Sequence, residues 1–115
     1  MKKTYCFDID NVICSTPKSK NYSQCKPKKK VINFINHLFN KGNTIKIFTA
    51  RYMGRNKENI SKAKKQGYKF TRNQLKMWGL KYHKLIMGKP SYDLFVDDKA
   101  LGFKKNWISQ AKKWK

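Results

Sequence analysis

Four of the six acidic residues occur in two close pairs, and these pairs are the strongest chemical signal in the sequence. Asp8 and Asp10 end one short apolar run, and Asp97 and Asp98 end another. The chain carries 28 Lys and Arg residues, so these carboxylates are not needed for solubility. Hard divalent cations prefer oxygen ligands, and we therefore expect Mg²⁺ to be bound between the two pairs.

The members of the first pair can take different roles. On a regular strand Asp8 and Asp10 would face the same side, but a bend at the strand end lets Asp10 turn outward while Asp8 points into a crevice. One carboxylate can then be a nucleophile and the other a proton donor, since unequal burial and a shared cation separate their pKa values. The Thr49 hydroxyl, backbone N–H groups and Lys89 would complete a phosphate site.

Apolar runs and helical spacing predict the elements that position these residues. We expect strands over 4–9, 44–49, 85–87 and 94–96, and helices over 31–39, 57–66, 71–78 and 103–114. The polar stretches 14–27 and 50–56 are predicted to be loops. Near the C-terminus, one apolar stripe is predicted to pack into the core, formed by Phe103, Trp107, Ala111 and Trp114.

Alternation of strands and helices predicts an α/β fold with a mainly parallel sheet and right-handed crossovers. In such sheets ligands bind outside the carboxyl ends of the strands, which would bring Asp8, Thr49 and Asp97 into one site. The length of 115 residues predicts a single domain over 1–115 that can bury a core without staples.

The formal charge of +22 suggests nucleic-acid binding, but composition offers another explanation. Lys outnumbers Arg 25 to 3, and Lys, Asn and Ile share A/T-rich codons. Arg, the residue suited to bidentate recognition of bases and phosphates, is nearly absent. We expect a cationic surface that attracts anionic substrates and at most weak electrostatic binding of nucleic acid.

Cysteine usage and hydropathy predict a cytoplasmic protein. The three cysteines have no Cys-x-x-Cys spacing, which argues against a disulfide framework or a zinc site. The sequence contains no apolar run long enough to span a membrane, and its N-terminal residues lack the pattern of a signal peptide.

With these motifs identified, the sequence resembles the haloacid dehalogenase (HAD) superfamily of phosphotransferases. Its four motifs occur in order as Phe7-Asp-Ile-Asp-Asn-Val, Ile47-Phe-Thr-Ala-Arg, Lys89 and Phe95-Val-Asp-Asp. They span about residues 5–100. The resemblance implies a Rossmann-like, three-layer α/β/α sandwich.

The resemblance also implies an activity and a role for each motif. Asp8 would attack phosphorus to form an aspartyl-phosphate, and Asp10 would protonate the leaving group and then activate water. Thr49 would bind phosphoryl oxygens, and Lys89 would balance the charge of Asp8. Mg²⁺ would be held by the Asp8 carboxylate, the Asp10 carbonyl and one carboxylate of the second pair, with Asp98 preferred over Asp97.

Two features depart from the usual pattern of this superfamily. Most relatives have Gly after the second Asp, whereas this chain has Asn11, which tolerates a positive φ better than most residues. Lys89 lies closer to Asp97 than in many relatives, which leaves Lys84 as the alternative motif lysine.

Neither interval between motifs has room for a separate cap domain. The site would be closed by the 14–27 loop, by the 50–58 loop, by another subunit in a homo-oligomer or by a large substrate. The substrate is expected to contact Asn11, Ala50, Arg51 and Arg55, with the two arginines binding a second anionic group.

The chain looks most like the small capless HAD phosphatases of capsule and polysaccharide biosynthesis. We therefore expect a Mg²⁺-dependent phosphomonoesterase acting on a sugar phosphate or nucleotide. The alternatives are a nucleic-acid end-processing phosphatase, a basic nucleic-acid-binding module, and a HAD-like scaffold without turnover. The intact Asp8 and Asp10 argue against the last of these.

Overall fold

A computed structural model describes residues 2–111 of the chain. In chain order, its elements are β1 (Thr4–Phe7), β2 (Cys14–Ser15), β3 (Lys26–Pro27), α1 (Lys29–Asn40), β4 (Thr44–Thr49), α2 (Ile60–Met77), β5 (Lys84–Met87) and α3 (Trp107–Ala111). Two short 3₁₀ turns, Tyr22–Gln24 and Gly54–Asn56, lie in the loops.

The main sheet has the order β1–β4–β5, and both strand pairs are parallel. Phe7 lies opposite Ile47, and Thr49 lies opposite Met87. The predicted α/β class with a parallel sheet is therefore confirmed. β1 is shorter than expected because the Ile9 carbonyl accepts hydrogen bonds from the Val12 and Ile13 amides, which turns the chain directly after Asp8.

Helix α1 follows from its apolar spacing. Its inward face buries Val31, Ile32, Ile35 and Leu38. These side chains join a core cluster with Ile45 and Ile47 of β4 and with Trp107 and Ala111 of α3. The helix ends at Asn40, one residue beyond the predicted end, and Gly42 follows with a φ of +93°, which glycine adopts without strain.

Helix α2 is one continuous helix where the sequence predicted two. Asn59 caps it by accepting a hydrogen bond from the Lys62 amide at 3.0 Å. Thr71 and Gln74 have the spacing of a capping box, which would begin a helix at 71, but both residues are buried in the middle of α2. Gly67 costs helix propensity, but it gives room to the Tyr52 ring, which would lie 2.0 Å from an added Cβ.

The predicted strand at 94–96 is wrong. Residues 92–96 form no strand, and Leu94 and Val96 are 80% and 88% exposed. Phe95 instead packs against Tyr92, with ring centroids 5.0 Å apart and ring planes inclined by 36°, beside the ammonium of Lys89. Local aromatic packing thus replaces strand pairing for this three-residue apolar run.

The remaining loops and the last helix also differ from expectation. The 14–27 loop contains the antiparallel pair β2–β3, in which Cys14 lies opposite Pro27. The C-terminal helix is described only from Trp107 to Ala111; both of these residues are buried, whereas Phe103 is exposed. Trp114, the last member of the predicted stripe, lies outside the described residues. No helix within 2–111 is long and apolar enough to cross a membrane.

We predict that Gly67→Ala destabilises the protein although alanine is the better helix former. The added Cβ would collide with the Tyr52 ring, and such overpacking costs about 1–3 kcal/mol, more than the roughly 1 kcal/mol gained in propensity. Urea unfolding followed by circular dichroism measures the change. Lys62→Ala, at an exposed position of the same helix, is the control; a stabilised Gly67→Ala would refute this packing.

Candidate functional site

The main candidate site is a cavity at the carboxyl ends of the parallel strands, next to Asp8 and Asp10. Its volume is about 680 Å³, within the range typical of small-molecule sites. Of the predicted site residues, six line it: Asp8, Asp10, Asn11, Ala50, Arg51 and Arg55. The 14–27 loop, which the sequence suggested as a cover, supplies much of the remaining wall through residues 16–20 and 22.

Asp8 is held between a backbone amide and a lysine. Its Oδ1 accepts a hydrogen bond from the Ile9 amide at 2.8 Å, and its Oδ2 lies 3.1 Å from Lys89 Nζ. The amide of Lys89 donates to the Thr49 carbonyl at 3.1 Å, so the end of β4 positions the lysine. Lys89 therefore lies where the sequence predicted a counter-charge for Asp8, whereas the exposed Lys84 begins β5.

Burial and charge shift the pKa values of Asp8 and Lys89 in opposite directions. Burial raises the pKa of Asp8 above its usual range, although Lys89 and the Ile9 amide lower it. Burial alone would lower the pKa of Lys89, but a hydrogen bond with Tyr92 and the charge of Asp8 outweigh it and raise that pKa. The Tyr92 and Phe95 rings lie 5.4 and 5.5 Å from Lys89 Nζ, which adds cation–π stabilisation of the charged amine.

Asp10 forms the second ion pair, with Arg51. Arg51 Nε lies 3.2 and 3.1 Å from the two carboxylate oxygens, and Nη2 lies 3.0 Å from Oδ1. The Thr16 hydroxyl donates to the same Oδ1 at 2.7 Å. Such a fork of charge-assisted hydrogen bonds fixes the orientation of a carboxylate as well as its charge.

Arg51 is fully buried, with 1% of its surface exposed. Its Nη1 donates to Gln74 Oε1 at 2.6 Å, and the guanidinium lies 4.5 Å above the Tyr22 ring. Gln74 in turn donates from Nε2 to the Tyr22 carbonyl at 2.7 Å. The donors of Arg51 are thus used within the protein, so this residue positions Asp10 instead of presenting a free cation to a second substrate anion.

Asn11, Thr49 and Ala50 shape the two turns beside the carboxylates. Asn11 adopts a φ of +64°, as expected for the residue in place of glycine, and its Oδ1 accepts the Thr16 amide at 3.2 Å. Thr49 is fully buried, its Oγ1 accepts the Arg51 amide at 3.1 Å, and it does not line the cavity. In this arrangement Thr49 orders the turn, and contact with a phosphoryl oxygen stays a prediction.

No sequence pattern indicated the other residues that build the site. Thr16 and Tyr22 of the 14–27 loop and Gln74 of α2 contact Asp10 or Arg51, and only tertiary packing brings these segments together. Cys14 and Cys25 also approach this group, each with Sγ 3.9 Å from Asp10 Oδ1. The scarcity of arginine was the one clue, because it singled out Arg51.

The two buried cysteines do not form a favourable cation site with Asp10, although the three donor atoms lie within 4.8 Å of one another. Burial raises the pKa of Cys14 to about 11, whereas metal binding requires the thiolate. The Arg51 guanidinium, 3.6 Å from Cys25 Sγ and paired with Asp10, occupies the position of the positive charge.

The structure does not bring Asp97 and Asp98 to the cavity. Both are exposed, in the segment that the sequence predicted to be a fourth strand, and neither lines the cavity. Without that strand, nothing places them at the carboxyl edge of the sheet. The Mg²⁺ expected from the sequence therefore does not fit the side chains as positioned, because Asp8 and Asp10 are paired with Lys89 and Arg51 and no third carboxylate of residues 2–111 lines the cavity.

Comparisons with known proteins bear on the fold alone. No protein-family model matches the chain, and no curated protein matches it. Among solved structures, the chain is similar to an MCSG target from Vibrio cholerae, with 24% sequence identity, a TM-score of 0.79 and full coverage of both chains. At this identity the likeness shows a shared α/β fold.

We predict that Arg51→Met destabilises the protein by about 2–3 kcal/mol. The variant leaves Asp10 and Gln74 without their partner; the cost stays below that of a fully buried pair because the Asp10 side chain is 22% exposed. Chemical denaturation measures it, with Arg72→Met as the control. Arg72 is exposed on α2, and its variant should change stability by no more than about 0.5 kcal/mol. Equal effects of the two substitutions would contradict a structural role for the Arg51–Asp10 pair.

Proposed function

We propose that this protein is a phosphomonoesterase that acts through an aspartyl-phosphate on a small phosphorylated metabolite. One observation carries the proposal: Asp8, paired with Lys89, opens into the same cavity as Asp10, paired with Arg51, at the carboxyl edge of a parallel sheet. This arrangement combines a nucleophile, a nearby cation and a second carboxylate for proton transfer.

In the first half-reaction, a carboxylate oxygen of Asp8 attacks phosphorus as the bond to the leaving oxygen breaks. Lys89 lies close enough to Asp8 to balance the charge of the incoming phosphoryl group. Asp10 passes a proton from solvent to the leaving oxygen, and the alcohol departs. The product is an acyl phosphate on Asp8.

In the second half-reaction, water attacks the phosphorus of the acyl phosphate. Asp10 removes the proton from this water, and the bond between phosphorus and Asp8 breaks to release inorganic phosphate. Arg51 and Thr16 hold Asp10 in one orientation through both steps, which keeps the proton-transfer distance short.

The finer fold assignment belongs to the same proposal. The parallel α/β sheet is compatible with a capless HAD fold, and the motif order in the sequence supports it. Residues 16–20 of the 14–27 loop border the cavity, where they can partly cover a substrate. We further propose a cytoplasmic enzyme of the kind that serves capsule or polysaccharide biosynthesis, with a second copy of the chain as a candidate cover for the site.

Dependence on Mg²⁺ is a separate proposal that rests on the sequence alone. Mg²⁺ commonly binds through one or two carboxylates together with substrate phosphate oxygens and water. A complete site here would require the 97–98 carboxylates to move to the cavity. Stimulation of turnover by Mg²⁺ that is lost in Asp98→Asn would support this movement, whereas full activity in EDTA would exclude the requirement.

We predict that the wild-type protein releases phosphate from members of a panel of sugar phosphates and nucleotides, assayed with and without Mg²⁺. Asp8→Asn should lower turnover by a factor of about 10³ or more, because an amide cannot form the acyl phosphate. Asp93→Asn, at an exposed position, removes the same charge and should keep activity. Equal turnover by wild type and Asp8→Asn would rule out the mechanism.

We also predict that Lys89 and Lys84 differ in their contribution to catalysis. Lys89→Met removes the cation at 3.1 Å from Asp8 and should lower kcat/KM by about 10² or more, in the range of a lost electrostatic contact. Lys84→Met, at the exposed start of β5, should change it less than about twofold. The reverse order would make Lys84 the motif lysine.

Nucleic-acid end processing is the second candidate, favoured by the +22 charge. A 3′-phosphorylated oligonucleotide added to the substrate panel tests it. Turnover of this oligonucleotide above that of all small substrates, with salt-dependent binding to ends, would favour this function. Binding without a preference for ends would show general charge attraction and would argue against end processing.

A further inference from the structure

The cavity that contains Asp8 and Asp10 is also lined by three cations, Lys18, Lys20 and Arg55, and we call this cationic part of its wall the distal end. The volume of the whole cavity, about 680 Å³, exceeds what a phosphoryl group alone would fill. The acidic residues that line this cavity are Asp8 and Asp10, and each already has its own cation. Within residues 2–111, none of the three distal cations has a carboxylate at ion-pair distance.

Arg55 is held in place before any ligand arrives. Its guanidinium carbon lies 4.8 Å above the Tyr52 ring and 5.2 Å above the Tyr22 ring. Its Nη2 donates one hydrogen bond, to the Lys20 carbonyl at 3.1 Å. A guanidinium has five N–H donors, so most of them stay available while the side chain has already lost much of its rotamer freedom.

The backbone around the distal end is strained in a way that suits a binding site. Lys20 and Tyr52 both line the cavity and both adopt positive φ, at 58° and 68°. Non-glycine residues rarely adopt this conformation, and Tyr and Lys gain little from it. Such strain is found where surrounding structure fixes functional groups; here it directs the Lys20 carbonyl and the Tyr52 ring to Arg55.

We propose that the distal end binds a second anionic group of the substrate, so that the enzyme acts on phosphomonoesters whose leaving group carries a carboxylate or a further phosphate. The planar guanidinium of Arg55 matches either group in a bidentate manner, and Lys18 and Lys20 add charge around it. Arg51, which the sequence grouped with Arg55, has no part in this contact because its donors are used on Asp10 and Gln74. This inference rests on the proposed phosphatase activity.

Two matched substrate pairs test the proposal at constant ionic strength. Glycerol 3-phosphate and 3-phosphoglycerate differ by a carboxylate, and glucose 6-phosphate and glucose 1,6-bisphosphate differ by a phosphate. For at least one pair, wild-type kcat/KM should be about tenfold or more higher for the member with the second anion. The pair that shows the preference identifies which anion is bound.

The ratio of the two kcat/KM values within the discriminated substrate pair should fall close to one in Arg55→Gln. In Arg72→Gln this ratio should keep its wild-type value. Arg72 is the matched control because it carries the same charge and also lies over a tyrosine, Tyr68 at 5.9 Å, but lines no part of this cavity. A wild-type ratio near one for both pairs, or an equal loss of ratio in the two variants, would overturn the proposal.

Binding to Asp8→Asn separates failure of this inference from failure of the proposed function. Isothermal titration of this variant with the same four compounds needs no turnover. Tighter binding of the doubly anionic members that is lost in Asp8→Asn/Arg55→Gln would support the distal anion site even if no compound is hydrolysed. Hydrolysis of both members of each pair at equal rates, with equal affinities, would leave the phosphatase proposal standing and refute the distal site.

Discussion

The pairing of each site carboxylate with a cation of the same chain is the constraint on which the rest of the site depends. Two carboxylates two residues apart repel each other, and partial burial increases the cost. Lys89 and Arg51 reduce that cost by direct ion pairs at 3.1 and 3.0 Å. The pairs also fix geometry, since Lys89 reaches Asp8 from beyond β5 and Arg51 reaches Asp10 from the end of β4.

The buried Arg51 links more of the structure than any other side chain of the site. Through Asp10 it holds the turn after β1, through Gln74 it contacts the middle of α2, and through Tyr22 it contacts the 14–27 loop. Because a guanidinium has its donors in a rigid plane, these segments can satisfy it in few arrangements. The cavity wall therefore has a defined shape. Arg55 packs on the Tyr22 and Tyr52 rings, which restrict its side chain to a defined position on that wall.

The sequence predicted the parts of the protein that depend on local pattern. Apolar runs located three parallel strands, helical spacing located α1, and residue chemistry selected Asp8, Asp10, Lys89 and Arg55. Prediction from the sequence failed where tertiary contacts determine the local structure. Gly67 lies within one long helix because the Tyr52 ring packs against it, and Phe95 packs near Lys89 instead of joining a strand. The partners of Asp10 and Arg51 could not be predicted either, because Thr16, Tyr22 and Gln74 have no recognisable sequence pattern and only the fold brings them to the site.

These contacts change the interpretation of the charged residues. The sequence predicted a bound cation between the carboxylate pairs and a cationic surface that attracts anionic substrates, with A/T-rich codon usage as another explanation of the positive charge. In the structure, Lys89 and Arg51 neutralise Asp8 and Asp10. The three cations of the distal end line the same cavity. The positive charge thus has a local organisation that suits a phosphate ester at one end and a second anion at the other.

The most direct test of the central claim is to trap the acyl phosphate on Asp8. The protein is quenched in acid during turnover of its best substrate, reduced with borohydride, digested and analysed by mass spectrometry. The account predicts that reduction converts Asp8 to homoserine, only in samples that contained substrate. Turnover without modification at Asp8, or with modification at a different residue, would contradict the account.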